Sequence, residues 1–157
     1  RLEIEGMLTE NSDEPHAAVI SSAIISEYQQ GKTILTTTDL QNVIKNALQF
    51  INSSERDKEI RKACARTFQA IRIDINKEYE VLYDFLEKIP DLLATNGKVA
   101  ILTFHSGEDR LVKKSFKHFY NLGIYKEIST EPIRPSLEEQ STNSRSKSAK
   151  LRWAIKA

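Results

Sequence analysis

His105 and Ser106 stand where an apolar run stops and a charged, helix-patterned stretch begins, in AILTFHSGEDRLVKKSF over residues 100–116. An imidazole exchanges protons near neutral pH, and a hydroxyl both donates and accepts, so the pair suits the polar edge of a ligand. Being sequence neighbours, their side chains tend to diverge, which argues against a nucleophile and its base. Ser106 equally reads as a plain helix cap with Asp109 at its third position. Glu108 and Asp109 in the first turn, and Lys113, Lys114, Lys117 and His118 further on, complement the macrodipole. Cap and ligand readings both stand on these residues alone. The ligand reading draws on the carboxyl end of a strand, where free N–H groups of the next helix face outward.

Two other clusters carry recognition chemistry. Arg66, Gln69, Arg72 and Asn76 fall within about a third of a helix circumference, at roughly 100° per residue. Such a stripe is either a solvated face or a set of donors for phosphates and base edges. Arg145, Lys147, Lys150, Arg152 and Lys156 lie in the last fifteen residues with no acid among them. That local density is what phosphate neutralisation needs, although a solvated tail has the same composition.

The elements that must position these groups follow from patterning. With 157 residues and 39 % hydrophobic content the chain can bury a core, and its net charge of +1 makes any nucleic-acid argument a local one. One cysteine, Cys64, and three scattered histidines predict neither a disulfide nor a metal site, and suggest a reducing cytoplasmic setting. No apolar run is long enough to cross a bilayer, so a soluble chain with no membrane partner is expected.

Residues 1–50 read as helical, with Ala17, Ile20, Ile24 and Tyr28 on one stripe and Gly31 as its stop. A second helix is predicted from a capping box at Thr38 and Gln41. The polar segment NSSERDKEIRKACA reads as a linker or frayed start, and the helical period then runs from Arg66 to Ile89, with Pro90 as a break. Residues 99–104 lack polar alternation, which predicts a strand buried on both faces of a parallel-type α/β sheet. A strand is also expected at residues 125–129, a final apolar stretch lies near residues 151–155, and EEQSTNSRSKSAK reads as loop.

ARTFQAIRIDIN, AILTFHSGEDRLVKKSF and NSRSKSAKLR, in that order, resemble the bacterial 16S ribosomal RNA cytosine-N4 methyltransferase family, RsmH or MraW. TTTDLQNVI is similar to a segment of the family's inserted helical domain, so the likeness runs from about Met7 onward. Gly107 departs from the family's usual leucine, Lys147 from arginine, Ser144 from proline, and Lys62-Ala63 from a His-Pro pair.

The resemblance implies an α/β fold, the C-terminal part of a Rossmann-like S-adenosylmethionine-dependent methyltransferase with few strands and flanking helices, plus an all-helical inserted domain. Residues 1–60 would be the insertion and residues 61–157 the methyltransferase part. It implies methyl transfer to the N4 amine of a cytosine in small-subunit ribosomal RNA, with the ribosomal RNA or small subunit as partner. The alternative is a non-catalytic RNA-binding or assembly module derived from that family. His105 and Ser106 would sit at the rim of the target pocket, with Glu108 and Asp109 fixing the corner. Arg66, Gln69 and Arg72 would line the groove, and Arg145 and Arg152 would meet the RNA backbone.

The family's glycine-rich cofactor turn and its DLGVSS segment are absent from these residues, whose five glycines are all isolated. S-adenosylmethionine is therefore expected in the complete enzyme but not bound well by this chain alone. The strand at residues 99–104 would then keep an open apolar edge, to be met by the N-terminal half or by a second copy in a homodimer, or already covered in a shortened relative.

Overall fold

The computed structural model describes residues 2–157, which form two compact units, one ending at Lys77 and the other running Glu78–Ala157. The first is all helical: α1 (Leu2–Ser12), α2 (Ala17–Gln29), α3 (Thr37–Ala47) and α4 (Ser53–Asn76). Leu8, Ile20, Ile44, Leu48, Ala63 and Ala70 are fully buried in one cluster. Each large aliphatic among them contributes roughly 1.5–3 kcal/mol through loss of water contact. Gly31, at φ +74°, ends the stretch that follows α2 in a left-handed conformation suited to a residue without Cβ.

The cap of α3 sits two residues earlier than the sequence suggested. Thr36, in an extended conformation, accepts from the Asp39 N–H at 3.1 Å, while Asp39 Oδ2 accepts from the N–H of Thr36 at 2.9 Å and of Leu35 at 3.1 Å. The aspartate at N3, bonded to two backbone donors, outcompetes the Thr38 register. The supposed linker is the first half of α4, because Ile60, Ala63 and Cys64 recur at helical spacing and reach the core while the charges point outward. Since α4 packs on α1, the units divide at Lys77 instead of residue 60. Lys77, left-handed at φ 51°, interrupts what periodicity alone predicts as one helix through Ile89.

The second unit runs α5 (Glu78–Leu92), β1 (Lys98–Thr103), α6 (Ser106–Asn121), β2 (Tyr125–Ile128), α7 (Leu137–Thr142), a 3₁₀ turn (Ser144–Ser148) and β3 (Lys150–Lys156). Pro90 lies within the last turn of α5, which continues to Leu92. The polar run expected as loop forms α7 and the 3₁₀ turn, each started by a side-chain cap, Ser136 to the Glu139 N–H and Asn143 to the Arg145 N–H.

The sheet has the order β1-β3-β2, and β3 is antiparallel to both neighbours. The parallel-type expectation therefore holds only for β1 and β2, which run the same way on either side of β3 with α6 between them in sequence. Every hydrogen-bonded pair is antiparallel.

Nor is β1 buried on both faces. Val99, Ile101 and Thr103 turn inward, whereas Lys98, Ala100 and Leu102 are exposed. The inward face packs with Leu86 of α5, Val112, Phe116 and Phe119 of α6, Tyr125 of β2 and Ala154 of β3. Among the described residues β1 pairs with no strand besides β3, so it forms one edge of the sheet. No helix of the described residues is long and apolar enough to cross a membrane.

Candidate functional site

The β1–α6 corner is held by three short-range devices. His105, with φ −135° and ψ 165°, is the N-cap of α6 in place of Ser106, its Nδ1 accepting from the Glu108 N–H at 3.5 Å. Glu108 Oε2 in turn accepts from the Phe104 N–H at 3.0 Å, so the third helical residue ties the strand end to the first turn. Ser106 occupies the first helical position and is exposed.

His105 Nε2 lies 3.2 Å from Glu108 Oε1, a close contact that is not aligned as a hydrogen bond, and the imidazole side chain is only 13 % exposed. Burial pushes the Glu108 carboxyl up, but the contacts from His105 and the Phe104 N–H outweigh it and hold the group below its ordinary value.

Glu78, His105 and Glu108 each place one ligand-type atom within 4.8 Å of the others. An imidazole whose Nδ1 accepts an N–H carries its hydrogen on Nε2, so it presents no second lone pair to a cation. The helix N-terminus also disfavours positive charge there. These groups read as a positioning cluster.

Gly107 is the one residue type the corner admits without displacement. A Cβ at that position would lie 1.8 Å from the Tyr79 hydroxyl oxygen. The phenol of Tyr79 thus fills the space over the first turn of α6, its ring centroid 5.8 Å from that of His105.

Asp109 fixes the corner to β3. Its Oδ1 accepts from Arg152 Nε at 2.7 Å, and its Oδ2 accepts from Arg152 Nη2 at 3.3 Å and Lys150 Nζ at 3.4 Å. Arg152 Nη1 also donates to the Thr130 carbonyl at 3.2 Å, and the residue is 4 % exposed. Burial raises the Asp109 pKa, but Arg152 and Lys150 together lower it below its ordinary value. Arg152 is therefore an interior clamp, and the expected phosphate contact does not fit its placement.

Arg66 is similarly committed within the helical unit. Its Nε donates to Glu14 Oε2 and its Nη2 to Glu59 Oε1, both at 2.6 Å, with the Glu14 side chain fully buried. The Arg66 bond is the largest influence holding Glu59 below the usual carboxylate range. A phosphate would have to displace two carboxylates to reach this guanidinium. Gln69 is half-buried and Arg72 exposed on the same helix.

What sequence reasoning missed is a groove of about 550 Å³ at the carboxyl end of β1. Leu102, Phe104 and Ile133 form its apolar wall, each about half exposed. Arg134, Asn143 and the exposed Arg145 supply polar donors, and Glu139 is the acid beside them. The bridge between Ile133 and Leu151 draws the loop carrying Arg134 against β3, where no local pattern would put it. An aromatic and aliphatic wall beside two guanidinium groups can hold a planar base and a phosphate together. Phe104 is the residue this groove shares with the corner motif.

Together the second unit is an α/β layer with a cation-flanked groove at the carboxyl end of β1. Comparison with known sequences gives the family: the MraW methylase family model matches residues 1–157, and the chain belongs to that family.

Among its relatives, ribosomal RNA small subunit methyltransferase H 2 of Alkaliphilus metalliredigens is 62 % identical over 99 % of this chain and 44 % of its own length. Methyltransferase H 1 of Lachnoclostridium phytofermentans is 59 % identical over 99 % of the chain and 42 % of its own length. The corresponding protein of Agathobacter rectalis is 50 % identical over the full chain and 45 % of its own length. The chain thus spans less than half the length of the relatives it matches.

Proposed function

We propose that this chain is the RNA-positioning part of an S-adenosylmethionine-dependent methyltransferase that modifies the N4 amine of a cytosine in small-subunit ribosomal RNA. The helical unit corresponds to the family's inserted domain and the α/β unit to the C-terminal part of its Rossmann-like fold. The observation that carries this reading is the groove where Phe104 of the motif strand meets Arg134 and Arg145. Family membership and the names of the relatives support methyl transfer to small-subunit ribosomal RNA as the reaction of the complete protein.

The residues present do not fit the methyl donor. At the described strand-to-helix corner the N–H groups of Phe104, Glu108 and Asp109 are already bonded, to Glu108 Oε2, His105 Nδ1 and the His105 carbonyl, and Tyr79 fills the space beside Gly107. A nucleoside cradle needs open backbone donors and room for close approach. No step through the cofactor is assigned to these residues.

Their work is to bind and orient. In this reading Arg134 and Arg145 neutralise two phosphates and Phe104 supports an unstacked base, since an amine inside a duplex is out of reach. His105, Ser106 and Glu108 keep the rim rigid, with the exposed Ser106 hydroxyl facing the arriving nucleotide. Holding a reacting group in register is the main contribution a non-cofactor portion makes to such a transfer.

The test is fluorescence anisotropy with a labelled single-stranded RNA containing cytosine, titrated across salt. Arg134→Ala with Arg145→Ala is expected to flatten the dependence of log K on log salt by about 1.4, roughly 0.7 for each lost phosphate contact on a single strand. An unchanged slope would remove both arginines from the RNA. A loss confined to Arg152→Ala would return the contact to the clamp.

A further inference from the structure

The groove at the strand ends does not account for a second acid-free basic run of the chain. Residues 110–126 contain Arg110, Lys113, Lys114, Lys117 and Lys126 and no acid. The chain holds 23 basic and 22 acidic residues in all, so this run leaves 18 against 22 elsewhere. The rest of the chain is thus net negative, and this run lies on α6 and the strand that follows it.

The fold gives this run a shape. Where α6 passes over the outer edge of β2 there is a second groove of about 380 Å³, lined by Lys113, Lys117, Tyr120, Lys126, Ser129 and Thr130, with Glu127 as its acid. Lys113 and Lys117 are one helical turn apart and point the same way. Lys126 lines the same groove from β2, its ammonium bonded to the Asn96 side chain. All three lysines are exposed, and Tyr120 presents nearly half its surface between them. β2 is the sheet edge opposite β1, so this groove and the one at the carboxyl end of β1 lie on different borders of the same sheet.

We propose that the α6–β2 groove is a second docking surface for RNA, one that grips the sugar-phosphate backbone without reading sequence. Three ammonium groups around a concavity match the spacing tolerance of a phosphate chain, because lysine acts as a mobile point charge and needs no planar fork. Tyr120 supplies the flat apolar surface against which a sugar or base rests. Arg152 links the two borders: its guanidinium holds the Thr130 carbonyl at the end of this groove and Asp109 at the β1–α6 corner. RNA gripped here is therefore held at a fixed distance from the corner. The proposal rests on the RNA reading given above and adds a contact that reading does not need.

The experiment uses the intact chain and a fluorescein-labelled RNA hairpin of mixed sequence, followed by anisotropy from about 50 to about 250 mM KCl, where phosphate contacts dominate affinity. The variant Lys113→Ala, Lys117→Ala, Lys126→Ala should weaken binding at least tenfold at low salt. Its log K against log salt slope should flatten by about 2, as loss of two to three phosphate contacts requires. A control with the same charge change, Lys45→Ala, Lys58→Ala, Lys88→Ala, should keep the wild-type slope.

Equal losses in the two variants would reduce the effect to net charge and overturn the groove. So would an unchanged slope in the first variant, or absence of salt-dependent binding by the wild type. A polyglutamate peptide that displaces the RNA at matched charge would reassign the surface to an acidic protein segment and likewise overturn it. If Arg134→Ala with Arg145→Ala binds like wild type while the lysine variant fails, the strand-end reading falls and this groove stands. The converse result removes this groove alone.

Discussion

Two arginines, Arg66 of the helical unit and Arg152 of the α/β unit, are both paired with carboxylates, but they are held differently. Arg66 spans two separate acids, Glu14 and Glu59, and keeps about a quarter of its side chain exposed. Arg152 meets one carboxylate, Asp109, through two nitrogens, and is almost wholly buried. The first joins α4 to the loop between α1 and α2, with Glu59 on its partly exposed side. The second is a dry fork that fixes the N-terminus of α6 to β3, with Thr130 taking a third donor. The contrast shows that an arginine in a recognisable motif can serve the shape of a site without touching the ligand.

Removing each arginine tests that difference. Arg152→Ala leaves the buried Asp109 with only its longer contact to Lys150, and about 3 kcal/mol of stability should be lost from the α/β unit, measured by urea unfolding with Trp153 as the reporter. Arg66→Ala leaves Glu14 buried without its guanidinium but leaves Glu59 near solvent, so a smaller loss of about 2 kcal/mol is expected, read from far-ultraviolet circular dichroism of the helices. If Arg66→Ala costs more than Arg152→Ala, the ordering of the two clamps is reversed.

The smallest effect is on pH. Asp109 is held below its ordinary value of 3.8, so it binds protons less readily folded than unfolded. Its contribution is fully present above that value and disappears as pH falls below 3.8 through the lower folded-state pKa. Asp109→Asn should therefore be less stable than wild type at neutral pH and converge on it in strong acid. A constant difference across that range would deny the coupling.

Much of this was legible from patterning. The apolar run at residues 99–104, the amphipathic period of α6 and the stop at Gly31 all express local preferences that survive folding. The errors came where a contact from far along the chain decides. Arg152 looked like part of a free basic tail because its partner, Asp109, lies 43 residues away. The cap at the motif corner passed from Ser106 to His105 because Glu108 turned back to the Phe104 N–H, a choice invisible in residue type. β1 read as doubly buried because its outward face is apolar too, and among the described residues nothing in this unit covers Leu102. The strand-end groove escaped notice since Arg134 reaches it only through the Ile133–Leu151 bridge.

The central claim is that RNA lies against Phe104 between Arg134 and Arg145. Ultraviolet crosslinking of the chain to a 5-bromocytidine-containing RNA, followed by mass spectrometry of tryptic peptides, tests it most directly. The account predicts nucleotide adducts on the peptide 99–110, centred on Phe104, and their loss in Phe104→Ala. Adducts confined to the helical unit, with peptide 99–110 unmodified at saturating RNA, would contradict it.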